Sequence, residues 1–325
     1  MNPVTSLDLA PLADDLHRLD TALRGAVDHQ DRFLAEVGSH LLSAGGKRVR
    51  STLAIVASYA ASGTDRPASE QAITGGVACE LVHLGSLYHD DVIDEADTRR
   101  GVPSVNARWS NIVAILAGDY LLARASSLAA SLGSDVAGLL ATTIADLCGG
   151  QVAELQHLFD VTRSEEQYYS AIDGKTAALF ATSCRIGGMV AGAPAPTLDA
   201  LERFGRHVGM CFQIVDDCLD ITGSDATLGK TAGQDLLEGI YTLPVIYALR
   251  DSPELNAGLG KPLALSELDA VRTQVVSAGT VEAARGVAID HATKAFEALR
   301  GAGGLDPSVV EALTGFADGL VARER

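Results

Sequence analysis

The chain has 325 residues, of which 47% are hydrophobic and 5% aromatic, with a formal charge of −17. The length admits two domains or one large helical domain, and abundant Ala and Leu with few aromatics favours helices over strands. The acidic balance argues against a nucleic-acid partner, which needs clustered Lys and Arg, and against a broad basic face for docking on anionic lipid.

The opening MNPVTSLDLAPLADDLHRLD has no basic segment followed by an apolar one, so no secretory leader is expected. Apolar residues then recur at helical spacing nearly throughout; in 201–219 they fall at Leu201, Phe204, Val208, Phe212, Val215 and Leu219, steps of three and four. Breaks are expected at Ala44-Gly45-Gly46, Ser62-Gly63-Thr64-Asp65, Gly101-Val102-Pro103, Ala193-Pro194-Ala195-Pro196 and Gly223-Ser224-Asp225. Segment 251–265, DSPELNAGLGKPLAL, reads as a surface loop. No alternating run between hairpin turns stands out. The expectation is a single all-α domain over residues 1–325, with roughly a dozen helices. The five cysteines (Cys79, Cys148, Cys184, Cys211, Cys218) sit in apolar patterns without a C-x-x-C pair, and are expected to be buried thiols in a reducing compartment. The longest apolar stretch, TAALFATSCRIGGMVAGA, contains Arg185 and several glycines and is short for a bilayer, so no transmembrane segment and a cytoplasmic location are expected.

The chemistry-bearing segments come in order. GGKRVR, 45–50, is a glycine turn opening a helix, whose N–H groups and cations suit phosphate oxygens. SLYHDDVIDEADTRRG, 86–101, sets Asp90, Asp91 and Asp94 beside Arg99 and Arg100. DGKTAALF follows with Lys175 and Thr176, then a second D-D-x-x-D at Asp216, Asp217 and Asp220, then LGKTAGQD with Lys230. Positions i and i+4 of a helix differ by ~40° around the axis and ~6 Å along it. Asp90 and Asp94 therefore share a face, as do Asp216 and Asp220. Oxygen-only sites of this kind suit Mg²⁺, which takes one or two carboxylates plus substrate phosphate oxygens. Two acidic copies with interspersed cations read as a metal-bridged diphosphate site, although each lysine alone reads as an ordinary surface residue.

The ordered set GGKRVR, ELVHLGSLYHDDVIDEADTRRG, GDYLLARA, GKTAALF, FQIVDDCLDITG, GKTAGQDLLEG and TLP, within about 40–250, strongly resembles the trans-isoprenyl diphosphate synthases, the head-to-tail prenyltransferases. The resemblance implies mostly antiparallel helices around a central cavity, a homodimer, and about three Mg²⁺ ions per active site. It implies metal ligands at Asp90, Asp94, Asp216 and Asp220, with Asp217 close by. Allylic diphosphate would meet Arg99, Lys175 and Lys230; isopentenyl diphosphate would meet Lys47, Arg50, His83 and Arg100. Thr176 and Gln213 would flank the forming carbocation. Metal and cations neutralise the leaving diphosphate, the double bond of isopentenyl diphosphate attacks the allylic cation, and a proton is lost, with no protein nucleophile.

Two positions depart from the family pattern: Ser51 stands where proline is common, and Ile240, in EGIYTLP, where lysine is common. Gly85 and Ser86 lie just below the first acidic motif, where short-chain members place bulky aromatics. Their small size implies an open tunnel and products of C30–C50; if they serve only close helix packing, C15 or C20 products remain. His89 is a candidate partner of the acids and Trp109 a packing residue. A class I terpene cyclase is disfavoured by the second D-D-x-x-D, and a non-catalytic subunit of a heteromeric synthase by the integrity of both motifs.

Overall fold

The computed structural model describes residues 3–224 and 231–323. After a short turn at Pro3–Ser6 come α1 (Leu12–Ala26), α2 (Arg32–Ser43), α3 (Val49–Ser62) and α4 (Glu70–Ile93). A two-residue ribbon, β1 (Thr98–Arg99) and β2 (Val102–Pro103), leads to α5 (Val105–Arg108), α6 (Asn111–Ser131), α7 (Ser134–Leu155) and α8 (Glu165–Ile172). A π-turn at Asp173–Ala177 runs into α9 (Ala178–Val190), followed by α10 (Ala195–Thr222). Then come α11 (Gln234–Glu238), α12 (Leu243–Asp251), α13 (Pro253–Gly258), α14 (Leu265–Ser277), α15 (Thr280–Arg300) and α16 (Pro307–Val321).

Local chemistry sets these boundaries. Ser69 caps α4 by accepting from the Ala72 N–H, and Ser164 with Gln167 forms a reciprocal capping box on α8. Gly45 (φ +94°) and Gly46 (φ +149°) make the turn between α2 and α3 in backbone regions that side chains rarely enter. The apolar spacing of 201–219 is borne out: Leu201, Phe204, Val208, Val215 and Leu219 are buried and Phe212 is half-buried.

The buried apolar side chains form one continuous cluster reaching from Val4 to Leu320. Within it α4 packs on α6, α3, α9 and α1, while α10 packs on α9 and α15. Helix α9 therefore lies between the two helices that end in the acidic motifs, and from Ala178 to Gly188 only Arg185 is not fully buried.

Three expectations are corrected. The Gly101 break carries the antiparallel ribbon Thr98–Pro103, with Arg100 (φ +56°) and Gly101 (φ +76°) at its bend. Segment 251–265 contains α13, which starts at Pro253, a residue suited to a first helical turn. Cys148 is exposed, unlike the other four cysteines, because α7 shows an apolar face to the outside. Helices α6 and α7 are both long and apolar enough to cross a membrane, yet only 33% and 28% of an apolar 18-residue stretch in each is buried in the single chain.

Candidate active site

A cavity of about 860 Å³ lies where the C-terminal ends of α4, α7 and α10 meet. From α4 it receives Asp90 and Asp94. Burial pushes the Asp90 carboxyl up to about 6; Lys175 opposes the shift and Asp94 adds to it. Asp91, one residue and about 100° around the helix, points elsewhere. It is fully buried and accepts from Arg99 Nε at 2.7 Å, which fixes that guanidinium at the cavity edge.

The basic turn and the end of the ribbon meet nearby. The Arg100 Nη1 donates to the Leu41 carbonyl at 3.0 Å and to the Gly45 carbonyl, and its guanidinium packs on the bare Cα of Gly46. A side chain at 46 would push this guanidinium aside, and the φ of +149° also favours glycine there. Arg50, half-buried, stacks 4.7 Å over the Phe180 ring, and burial draws its pKa down to about 10. His83 is half-buried on the Asp90 face of α4. Burial, then Arg50 and Arg100, hold its pKa well below the usual imidazole value, so the ring is neutral. Lys47 is exposed, and burial of part of its stem followed by Arg323 lowers its pKa. Arg48 has a structural task, donating to buried Glu80 at 2.9 Å. The Ser51 hydroxyl, in place of the common proline, has the Arg48 carbonyl at 3.0 Å and Glu80 at 3.3 Å as acceptors for its one proton, so the departure adds a hydrogen bond beside that pair.

Lys175 and Thr176 lie in the π-turn between α8 and α9, a local widening of the helix that is common at functional sites. Two glycines press this turn onto α7: a Cβ on Gly150 would overlap the Lys175 backbone nitrogen, and one on Gly174 would lie 2.7 Å from the Asp146 carbonyl oxygen. One helical turn beyond Gly150, Glu154 accepts from Lys175 Nζ at 2.5 Å. Burial alone would lower the lysine's pKa, but Glu154 and Asp90 hold it above the ordinary value, so it is firmly cationic.

The second motif divides between two faces of α10. Gln213 and Asp217, four residues apart, line the cavity. Asp217 is buried and accepts from Tyr168 Oη at 2.6 Å and from Gln213 Nε2 at 2.8 Å. Burial pushes its pKa up against those two hydrogen bonds. With its Nε2 turned to Asp217, the Gln213 amide presents its oxygen to Thr176, whose hydroxyl donates to it at 2.7 Å. Asp216 faces Arg323 Nη1 at 2.9 Å. Asp220 is buried and accepts from the Asp235 N–H at 3.3 Å, tying α10 to α11. Asp217 thus lines the cavity with Asp90 and Asp94, while the expected ligands Asp216 and Asp220 are engaged by Arg323 and by the Asp235 N–H. Lys230 lies outside the described residues.

Below the first motif, a Cβ on Gly85 would meet the Gly118 carbonyl oxygen and Leu122 Cγ, both at 3.1 Å. Gly85 therefore sits in close contact with α6. Ser86 is half-buried and lies on the face shared by His83 and Asp90. His89 faces α6, with Nε2 3.2 Å from the Ile115 carbonyl and 3.4 Å from Asp119, so it does not partner the acids. Trp109 packs edge-on against Phe33 and His40, as expected. Glu154, Tyr168, Arg163 and Arg323 were not singled out from sequence. Glu154 follows the glycine pair of GGQVAEL, a signal of close backbone approach; the others carry no local signal.

Among the described residues, no three His, Cys, Asp or Glu side chains converge to enclose an ion. The cavity instead offers separated hard oxygen donors, with the Asp90 carboxyl raised by burial and by Asp94. This fits Mg²⁺, which keeps several waters and draws further oxygens from phosphate.

Residues 31–272 match the polyprenyl synthetase family. The chain is 40% identical over 293 residues to heptaprenyl diphosphate synthase component 2 of Geobacillus stearothermophilus, covering 89% of this chain and 90% of that one. Its fold superposes on decaprenyl diphosphate synthase of Rhodobacter capsulatus with a TM-score of 0.88, at 34% identity and 97% coverage of each chain. A geranylgeranyl pyrophosphate synthase of Corynebacterium glutamicum, complexed with calcium and isoprenyl diphosphate, is 40% identical with a TM-score of 0.82 and 95% coverage of each chain. The chain belongs to the polyprenyl synthetase family and is an all-α enzyme that makes trans-polyprenyl diphosphates.

Proposed function

We propose that this enzyme, working as a single-domain, cytoplasmic, Mg²⁺-dependent homodimer, adds isopentenyl diphosphate to an allylic diphosphate until the product reaches C30–C50. The observation that carries the site reading is the convergence in one cavity of Asp90 and Asp94 with Lys175, Gln213 and Asp217. Asp90 and Asp94 would hold Mg²⁺ from one wall and Asp217 from the other, with Asp216 reaching it by exchanging Arg323. When bound, Mg²⁺ neutralises the leaving diphosphate. Lys175 and Arg99 meet the allylic diphosphate, each already held by a carboxylate that fixes its position. Lys47, Arg50, Arg100 and neutral His83 receive isopentenyl diphosphate. With its O–H committed to Gln213, the Thr176 oxygen presents lone pairs to a passing carbocation.

The length reading rests on Ser86, a small residue on the face of α4 that carries His83 and Asp90. A second reading, C20, is favoured by the 40% identity to the geranylgeranyl synthase. Incubation with labelled isopentenyl diphosphate and, separately, C5, C10, C15 and C20 primers decides: products of C30 or more support the first, and a stop at C20 supports the second.

The homodimer reading rests on the outer face of α6 and α7, where Ile112 (70% exposed), Leu116 (60%) and Val152 (53%) stand open. Ala141, Ala145 and Gly149 continue that face with small residues that permit close helix approach. A second copy covers it. Sedimentation of the purified chain at twice its 33.7 kDa mass is expected. A monomer that makes no product until another chain is added would favour a two-component synthase, as the name of the Geobacillus relative suggests.

A further inference from the structure

Four cationic side chains line the cavity among the described residues: Arg99, Arg100, Lys175 and Arg163. Arg99 is paired with Asp91, Lys175 with Glu154, and Arg100 spans two backbone carbonyls. Arg163 is different. It is 4% exposed, and Nη1 donates to the Tyr241 carbonyl at 3.0 Å, while Nε and Nη2 have no hydrogen-bond partner. Its guanidinium lies 5.6 Å from the centre of the Tyr168 ring, the same tyrosine that donates to Asp217. A guanidinium stays charged at any pH a protein meets, and withdrawing it from water with N–H groups unfilled is costly. Glu154, the carboxylate acting on it most strongly, is already bonded to Lys175.

The position of this cation is informative. Its anchor, Tyr241, adjoins Ile240, which faces the same cavity without charge. The loop that carries Arg163 is pinned to the same strap by a second bond, from the Phe159 N–H to the Gly239 carbonyl at 2.8 Å. Among the described residues, the cation on that wall is Arg163, supplied from the loop before α8.

Resting on the reading of this cavity as a diphosphate site, we propose that Arg163 is a further diphosphate-binding residue. A turn of its long side chain, with the Tyr241 bond given up or shared, brings the unfilled N–H groups to phosphoryl oxygens in the cavity it lines. The planar fork of an arginine suits two such oxygens at once.

The test uses the full chain, with inorganic diphosphate as probe in the presence of Mg²⁺, by calorimetry, on the wild type, Arg163→Met and Arg163→Lys. Loss of charge-assisted hydrogen bonds in Arg163→Met should weaken binding about tenfold or more. The KM of one diphosphate substrate should rise in parallel, with kcat falling less. Its unfolding temperature should hold or rise, because replacing a poorly paired buried charge by an apolar chain relieves its desolvation. Arg163→Lys should recover part of the affinity. Wild-type affinity in Arg163→Met, or a loss that only tracks a loss of folded protein, overturns the role of Arg163 alone. Failure of the wild type to bind overturns it together with the site reading on which it rests.

Discussion

Gly150→Ala puts one methyl group where α7 meets the π-turn. Its carbon would overlap the Lys175 backbone nitrogen and lie 2.7 Å from the Ala171 carbonyl oxygen and 2.8 Å from the Gly174 carbonyl carbon. All three are backbone atoms, so no side-chain rotation relieves the clash. The turn must move off α7 by about 1 Å to restore ordinary contact. Overpacking of this kind costs about 1–3 kcal/mol. The larger effect falls on Lys175, which the same shift carries away from Glu154 and Asp90; a misplacement of about 1 Å lowers turnover about 100-fold. The assay is steady-state incorporation of labelled isopentenyl diphosphate, with thermal unfolding measured on the same preparations. Gly286→Ala is the control: its added Cβ meets nothing within 4 Å inside α15, so it should keep full activity and gain roughly 0.5–1 kcal/mol from helix propensity. Wild-type turnover and stability in Gly150→Ala would refute the claim that this glycine contact seats Lys175.

Ser86→Phe, on the face of α4 that carries Asp90, should shorten the product by one or more isoprene units at near-normal stability, read by chromatography after dephosphorylation. Gly85→Phe should also unfold the protein at lower temperature, because its Cβ already meets Gly118 and Leu122 of α6 at 3.1 Å. Stability should also fall in acid through the pair His207–His291, whose Nδ1 atoms are 3.0 Å apart. Burial, then His207, draws His291 down to about 4 from 6.5. Its folded-state pKa lies below the unfolded one, so the contribution is full above pH 6.5 and is lost as pH falls toward 4. It amounts to roughly 1–3 kcal/mol. His291→Gln should flatten the dependence of denaturant-measured stability on pH in that window.

Much of this fold could be read from the spacing of apolar residues, because long helices buried along one stripe must repeat every three or four positions. The run from Leu201 to Leu219 is one such case, and the described glycine and proline breaks fall at helix boundaries, with Ala195 and Pro196 opening α10. The segments that form the site were also legible. Which of two adjacent carboxylates faces the cavity was not. Successive residues differ by about 100° around a helix, and the rotation of α10 is set by partners far along the chain: Tyr168 for Asp217 and Arg323 for Asp216. Gly85 shows the same limit, since a small residue below an acidic motif reads equally as open space or as the close approach of α6. Arg163 carries no pattern at all, and its significance comes only from the unfilled N–H groups beside Tyr241.

The most direct measurement titrates Mg²⁺ into enzyme, labelled isopentenyl diphosphate and an allylic diphosphate, for the wild type and for Asp90→Ala. Turnover that is absent in chelator, rises with Mg²⁺ in the wild type and falls by orders of magnitude in folded Asp90→Ala is the expected result. Metal-independent turnover, or near-normal Mg²⁺-dependent turnover without the Asp90 carboxylate, would contradict a metal-bridged diphosphate site between α4 and α10.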